Sequence, residues 1–369
     1  MVHVSDIPAG SLSSAVTATL PKVQPTAYDR LACFCASWFL VGLFADGWSH
    51  YHDVRESFFT PYHAVLYSGF FANVALVAYT MVVGRRAGKP WIETLPGGYA
   101  LTALGVAWFT IGVAPDMLWH RIFGIEEGID VLISPTHLFL GVGMALVLLG
   151  PARAALARRD PPTTLEEQLP AIVSLALFLA MIEFTLQFAF DSGVSTSDAP
   201  LDPSTGHRAN LAFFLLPFTY YKEALGITIV VIHAALIAGF ALFVVTRMRP
   251  AFGTFVVLYG LPAFLMAVLL SNGALSVYVS TVQALVFGLI VDALVLRLRP
   301  EPQRAAAIRV FAVLVPALSY VLYLSVAQWV LGGVWWDVNL VFGSIVFAGV
   351  AGLLLSLIAV RTAPTAAGL

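Results

Sequence analysis

Charge is what this chain has least of. Only 11% of its 369 residues are Asp, Glu, Lys or Arg, while 59% are hydrophobic, a balance far from that of soluble globular domains. The 19 cations and 21 acidic residues nearly cancel and no basic block occurs, so nucleic acid is not an expected partner. Cysteine is almost missing. Cys33 and Cys35 are the only two, too few for a disulfide framework. Their C-x-C spacing is one a soft metal can use, but Phe34 between them in an apolar stretch favours plain packing. The first 28 residues are rich in Ser, Thr and Pro and have no apolar h-region, so no cleavable signal peptide is expected. The short alternating segments of a membrane β-barrel are absent. So are a dinucleotide-binding glycine fingerprint, a Walker lysine loop and a serine nucleophile elbow. No paired mid-span histidines offer a bis-His haem site.

What the chain has is apolar length. Runs of about 20 residues, enough to cross the hydrocarbon core, lie near 29–47, 62–84, 98–118, 136–157, 170–190, 222–246, 252–271, 275–296, 307–330 and 338–360. The expected fold class is all-α, a polytopic transmembrane helical bundle of about ten spans. The cations mark its orientation. Arg85, Arg86 and Lys89, then Arg153, Arg158 and Arg159, then Arg247 and Arg249, then Arg297, Arg299, Arg304 and Arg309 occupy alternate loops. By the positive-inside rule both termini are cytoplasmic, in the cytoplasmic (plasma) membrane, and the loops after odd-numbered spans face outward. The expected organisation is a cytoplasmic tail at 1–28, a metal-binding four-helix region at 29–160 and a six-helix region at 161–369.

The chemistry concentrates in a phrase written twice. Asp46-Gly-Trp-Ser-His50 is followed by Glu56 and then Thr60-Pro61-Tyr62-His63. Asp116-Met-Leu-Trp-His120 is followed by Glu126-Glu127 and then Ser134-Pro135-Thr136-His137. Residues four apart share a helix face, so each Asp/His pair can converge on one point. Thr60-Pro61 and Ser134-Pro135 are helix starts, with a hydroxyl N-cap and Pro at the first helical position. Each phrase therefore reads as a helical hairpin bringing one carboxylate and two imidazoles together at its outer tip. That donor set is a common metal triad, and by ligand type alone it admits zinc, copper or non-heme iron. The plainer reading is a set of helix caps and interfacial polar groups. Against it, four of the eight histidines fall into one duplicated pattern.

These residues resemble a known family, the C subunit of particulate methane and ammonia monooxygenases. The run Phe44-Ala45-Asp46 to His50, then Phe58-Phe59-Thr60-Pro61-Tyr62-His63, matches the Asp-x3-His-x12-His phrase that binds copper there. Trp119-His120 through Glu126-Glu127 to His137 resembles that subunit's following hairpin. The resemblance implies Asp46, His50 and His63, then Asp116, His120 and His137, as copper ligands. It also implies a copper-dependent monooxygenase, or a subunit of one, using O2 to oxidise a small apolar substrate beside partner subunits. It covers roughly residues 40–145; Asp116 stands where the family has Asn, and the second loop is a few residues longer.

Outside the triads, Glu183, Gln187 and Asp191 would form one stripe toward the outer end of the fifth span. Ionisable residues within a span usually mark function. Glu183 and Asp191, with the loop residues His52, Glu56, Glu126 and Glu127, are candidates to support the ligands. Asp130 sits in the second loop. His233 reads as a hydrogen-bonded core histidine, and Asp292 as an ion-pair partner of Arg297. Three functions compete at this point: a copper oxygenase or subunit, a non-catalytic protein that holds or delivers metal, and a transporter. Transport ranks last because the inner half of the spans carries almost nothing ionisable. The partners expected are the lipid bilayer, a small-molecule substrate, and partner subunits or further copies of the chain.

Overall fold

The computed structural model describes residues 25–52, 60–124, 126, 128–189, 194, 217–271 and 278–359. Among them the regular structure is helical: α1 (Pro25–Tyr51), α2 (Pro61–Arg86), α3 (Ala100–Phe123), α4 (Ile129–Ile133), α5 (Pro135–Leu148), α6 (Gly150–Leu156), α7 (Leu165–Thr185), α8 (Pro217–Arg247), α9 (Thr254–Leu269), α10 (Val279–Leu298), α11 (Ala305–Trp329) and α12 (Val338–Ala359), with two short 3-10 turns.

Eight of these helices are long and apolar enough to cross a membrane: α1, α2, α3, α7, α8, α10, α11 and α12. The chain is a helical membrane protein. Two of the ten apolar runs are not simple straight spans. α5 and α6 meet at a 42° bend. Pro151 follows the break and has no N–H to continue the ladder. α9 is apolar but only 16 residues long.

α1 packs along α2 and α3 along α5, while α1 also touches α5 and α2 touches α3. The two hairpins thus close a four-helix ring in which their roles interchange. Glycines set the spacing within each hairpin. A Cβ at Gly69 would stand 2.6 Å from the Phe39 backbone nitrogen, and one at Gly143 would stand 2.9 Å from that of Phe109. Gly42 packs against the Leu66 backbone, whereas Gly112 meets the side chains of Leu140 and Phe139. Small residues at such crossings let membrane helices approach closely. Asn73 of α2 adds a hydrogen bond, its side-chain amide donating to the Cys35 carbonyl at 2.9 Å. At the centre of the ring Phe39 meets Phe109 edge-on with centroids 4.9 Å apart, and Phe70 lies 4.6 Å from Phe109. Cys33 and Cys35 are free and buried, as the packing reading expects.

α7 joins the ring to the rest. It packs on α1 and α6 on one side and on α9 on the other. Leu175, Ala176 and Leu179 of α7 enter a second core with Phe255, Leu258, Phe287, Val291, Phe311 and Val315. At the end of the ring remote from the Asp/His phrases, buried Asp29 accepts the Tyr99 hydroxyl at 2.7 Å and pairs with Arg158. Arg153 donates to the Gly98 carbonyl at 3.2 Å and to the Thr102 hydroxyl at 3.0 Å.

Asp292 corrects one expectation from sequence. Rather than pairing with Arg297, its carboxylate accepts the backbone N–H groups of Gly253 (3.0 Å) and Phe255 (3.3 Å), capping the start of α9 from α10. The position is buried. Asp292→Ala leaves two donors unpaired, a loss of about 1–3 kcal/mol. The expected result is a lower thermal midpoint in detergent with metal content unchanged. An unchanged midpoint would show that the cap contributes nothing.

Candidate metal centre

The capping chemistry read from sequence is what places the returning histidines. Thr60 is extended, and its hydroxyl accepts the His63 N–H at 3.1 Å, with Pro61 opening α2. Ser134 does the same for His137 at 3.4 Å, with Pro135 opening α5. On the outgoing arms, Asp46 and His50 lie one turn apart in α1, and Asp116 and His120 one turn apart in α3, just after Pro115.

The two hairpins bring equivalent atoms together. His50 Nε2 stands 3.6 Å from Asp46 Oδ2, and His63 Nε2 stands 3.5 Å from Asp46 Oδ1. His120 Nε2 stands 3.7 Å from Asp116 Oδ2, and His137 Nε2 stands 3.4 Å from Asp116 Oδ1. Asp116, His120 and His137 each offer a ligand atom within 4.8 Å of the others. In the first hairpin both histidines approach the one carboxylate, but among the described residues only the second hairpin holds all three ligand atoms mutually that close. These separations exceed a good hydrogen bond. Asp46 Oδ1 and Asp116 Oδ1 are buried and have no hydrogen-bond partner among the described residues. A buried carboxylate oxygen left in that condition is costly, and a shared cation is the usual remedy.

The other face of the imidazoles supports the same reading. His63 Nδ1 lies 3.0 Å from the Thr60 hydroxyl, His137 Nδ1 lies 2.6 Å from the Val131 carbonyl, and His120 Nδ1 lies 3.0 Å from Glu126 Oε2. A carbonyl only accepts, so His137 carries a proton on Nδ1. In the neutral ring that turns the Nε2 lone pair toward Asp116. A lone pair facing a carboxylate is repulsive unless a cation lies between them. Outer acceptors on Nδ1 are the usual companions of metal-bound histidine.

The supporting candidates divide. Glu126 joins the second triad through His120, and both its carboxylate oxygens are buried without a hydrogen bond among the described residues. His52 does not join: its Nδ1 lies 2.8 Å from the Trp48 carbonyl and its ring stacks on Trp48 at 4.0 Å. Glu183 makes no hydrogen bond or ion pair to either triad among the described residues. The stripe expected from Glu183 to Gln187 breaks because α7 ends at Thr185 and Gln187 opens a 3-10 turn. Glu56, Glu127 and Asp191 lie outside the described residues.

Sequence reading missed Tyr67. One turn after His63, its ring stacks at 6.1 Å from that imidazole. The available signal was a tyrosine at i+4 from a ligand histidine, on the same helix face.

No protein-family model, no curated protein and no solved structure matches the chain.

Proposed function

We propose that the protein is a copper-binding integral membrane protein whose two Asp/His triads form an oxidation centre for a small apolar or weakly polar substrate, as a monooxygenase or a subunit of one. The observation carrying this reading is the approach of two Nε2 atoms to one carboxylate at each hairpin tip, closest in the second, with the opposite nitrogens of His63 and His137 held by outer partners. Carboxylate and imidazole suit a divalent first-row metal, and the choice of copper rests on the resemblance of residues 40–145. Zinc or non-heme iron in the same positions would keep the site and change its chemistry.

In this reading the chain crosses the membrane about ten times, α5–α6 serving as one bent span and α9 as a short one. Both termini are cytoplasmic and the triads face the extracytoplasmic side, a reading supported by the cation-rich alternate loops. Asp46 and Asp116 would each neutralise one charge of a bound ion. Thr60 and Val131 would fix the tautomers of His63 and His137, and Glu126 would face His120 with its charge. Copper, when bound, supplies one-electron redox chemistry toward dioxygen. Exposed apolar side chains such as Phe71 and Ile111 cover the outer faces of α2 and α3, where lipid-dissolved substrate can approach.

A second reading, holding or delivering metal without catalysis, is favoured by the 22–28% exposure of the four histidines. Metal content of the purified protein, measured by mass spectrometry, tests what the two readings share. About two copper ions per chain are expected, falling by about one in His63→Ala and by about one in His137→Ala. No bound metal in the parent would reduce both phrases to helix caps. Oxygen uptake by the reduced, loaded protein then separates oxidation from storage.

A further inference from the structure

Arginines in the two halves of the chain meet different fates. In the ring half, Arg30 pairs with Glu166 at 2.9 Å, Arg158 pairs with buried Asp29, and Arg153 donates to the Gly98 carbonyl and the Thr102 hydroxyl. In the second half, Arg247, Arg249, Arg297, Arg299, Arg304 and Arg309 lie at the ends of α8, α10 and α11. None of the six forms an ion pair among the described residues. The acids of the neighbouring elements are engaged elsewhere. Asp292 caps α9, Glu166 faces Arg30, and Glu167 closes the cap of α7 at Thr164. Only the exposed Glu301 lies in the connection between α10 and α11.

These cationic ends are packed together. Leu242 of α8, Ile308 and Ala312 of α11 and Leu355 of α12 share one core, and Met248 and Leu298 share another. Arg309 is the innermost of the six, one turn inside α11. It shares a helix face with Val313 and Ala317, four and eight positions on. A Cβ at Gly349 of α12 would stand 3.2 Å from Val313 Cγ1 and 3.7 Å from Ala317 Cβ, so this face turns toward α12. The Arg309 Nε is buried and has no hydrogen-bond acceptor among the described residues. A guanidinium is always charged and all its N–H groups are donors, so an acceptor is owed there. Ala312 meets Gly352 across the seam, which sets Val310 level with Leu354. Val310, Leu354 and Ile358 are exposed and apolar.

We propose that the cation-rich end of the α11–α12 seam, centred on Arg309, binds one anionic phospholipid. Its headgroup phosphate meets the Arg309 fork, with the surrounding arginines adding attraction, and its acyl chains lie along Val310, Leu354 and Ile358. A planar guanidinium matches phosphate oxygens two at a time, and basic pockets between membrane helices suit anionic headgroups. The exposed apolar side chains beside the charge favour a lipid over a free phosphate. The proposal rests on the helical membrane fold and not on the metal centre, so the two fail separately.

Native mass spectrometry of the full-length protein in detergent tests it, with dioleoyl phosphatidylglycerol and dioleoyl phosphatidylcholine as probes. The two share acyl chains and differ in net charge. One phosphatidylglycerol per chain is expected to survive activation that strips phosphatidylcholine. Arg309→Gln is expected to weaken its apparent affinity about tenfold, and Arg309→Lys by less. Arg86→Gln, which removes an exposed cation at the end of α2, is expected to change nothing. Should Arg309→Gln fail to fold, the surface pair Arg297→Gln with Arg304→Gln replaces it, with the same loss expected. Equal retention of the two lipids by the parent overturns the proposal, as does equal loss in Arg309→Gln and Arg86→Gln. Displacement of the lipid by millimolar glycerol phosphate also overturns it, since that would mark a site for a free anion.

Discussion

Replacing Asp116 by Ala is expected to leave a folded protein that binds one metal ion per chain instead of two. Among the described residues Asp116 is the only anion facing both imidazoles of the second triad, with His120 on one oxygen and His137 on the other. Loss of an outer-sphere partner alone typically weakens metal binding 10- to 100-fold. Loss of the carboxylate ligand should exceed the upper figure and empty the second site at micromolar metal. The sign of the stability change makes the test sharp. Asp116 is buried, and its Oδ1 has no hydrogen bond among the described residues. If the residue serves metal binding, the metal-free variant gains or keeps stability, because an unsatisfied buried oxygen has been removed. If it serves instead as a structural ion-pair anchor for His120 and His137, breaking the pair should cost about 3–5 kcal/mol. Thermal midpoints of the metal-free parent and variant, read beside metal content, decide between these outcomes. A large drop in the midpoint with metal stoichiometry unchanged would sink the metal reading of this triad. Asp46→Ala should behave alike at the first site.

The triads were legible because their logic is local. Asp46 to His50 and Asp116 to His120 are single helical turns, and Thr60-Pro61 and Ser134-Pro135 fix where the next helix begins. Once the spans are placed, those rules bring His63 and His137 back beside their carboxylates. Helix positions were legible for the same reason, since membrane insertion makes apolar length the dominant signal. What escaped was set by packing between helices distant in sequence. The Asp292 cap joins α10 to the start of α9, and charge proximity to Arg297 pointed elsewhere. Val131 became an outer partner through its backbone carbonyl, which no side-chain pattern announces. Tyr67 stacks beside His63 on the same face of α2, a placement that no ligand pattern announces. The bend at α5–α6 was signalled by Gly150-Pro151, but an apolar run is equally apolar when bent.

The same geometry predicts that one glycine beneath the first triad matters more than its counterpart beneath the second. Gly42 lies one turn below Asp46, and Gly112 one turn below Asp116. A Cβ at Gly42 runs into the backbone of α2: the Leu66 nitrogen lies 2.6 Å away and the Val65 carbonyl carbon 3.0 Å. Backbone cannot rotate aside, so α1 and α2 must separate. At Gly112 the nearest atoms are side-chain tips, Leu140 Cδ2 at 2.7 Å and Phe139 Cδ1 at 2.9 Å, and Leu140 can change rotamer. Gly42→Ala should therefore cost about 1–3 kcal/mol by overpacking, and Gly112→Ala less. The separation falls where the first triad is assembled across the two helices. It lengthens the 3.5 Å approach of His63 to Asp46 but leaves the Asp46–His50 pair, which lies within α1, intact. Gly42→Ala is thus expected to weaken metal binding at the first site at least about tenfold while sparing the second. Equal effects of the two substitutions on metal stoichiometry would mean that helix spacing does not govern the triads. A loss confined to the first site would tie the close approach of α1 and α2 directly to the centre they carry.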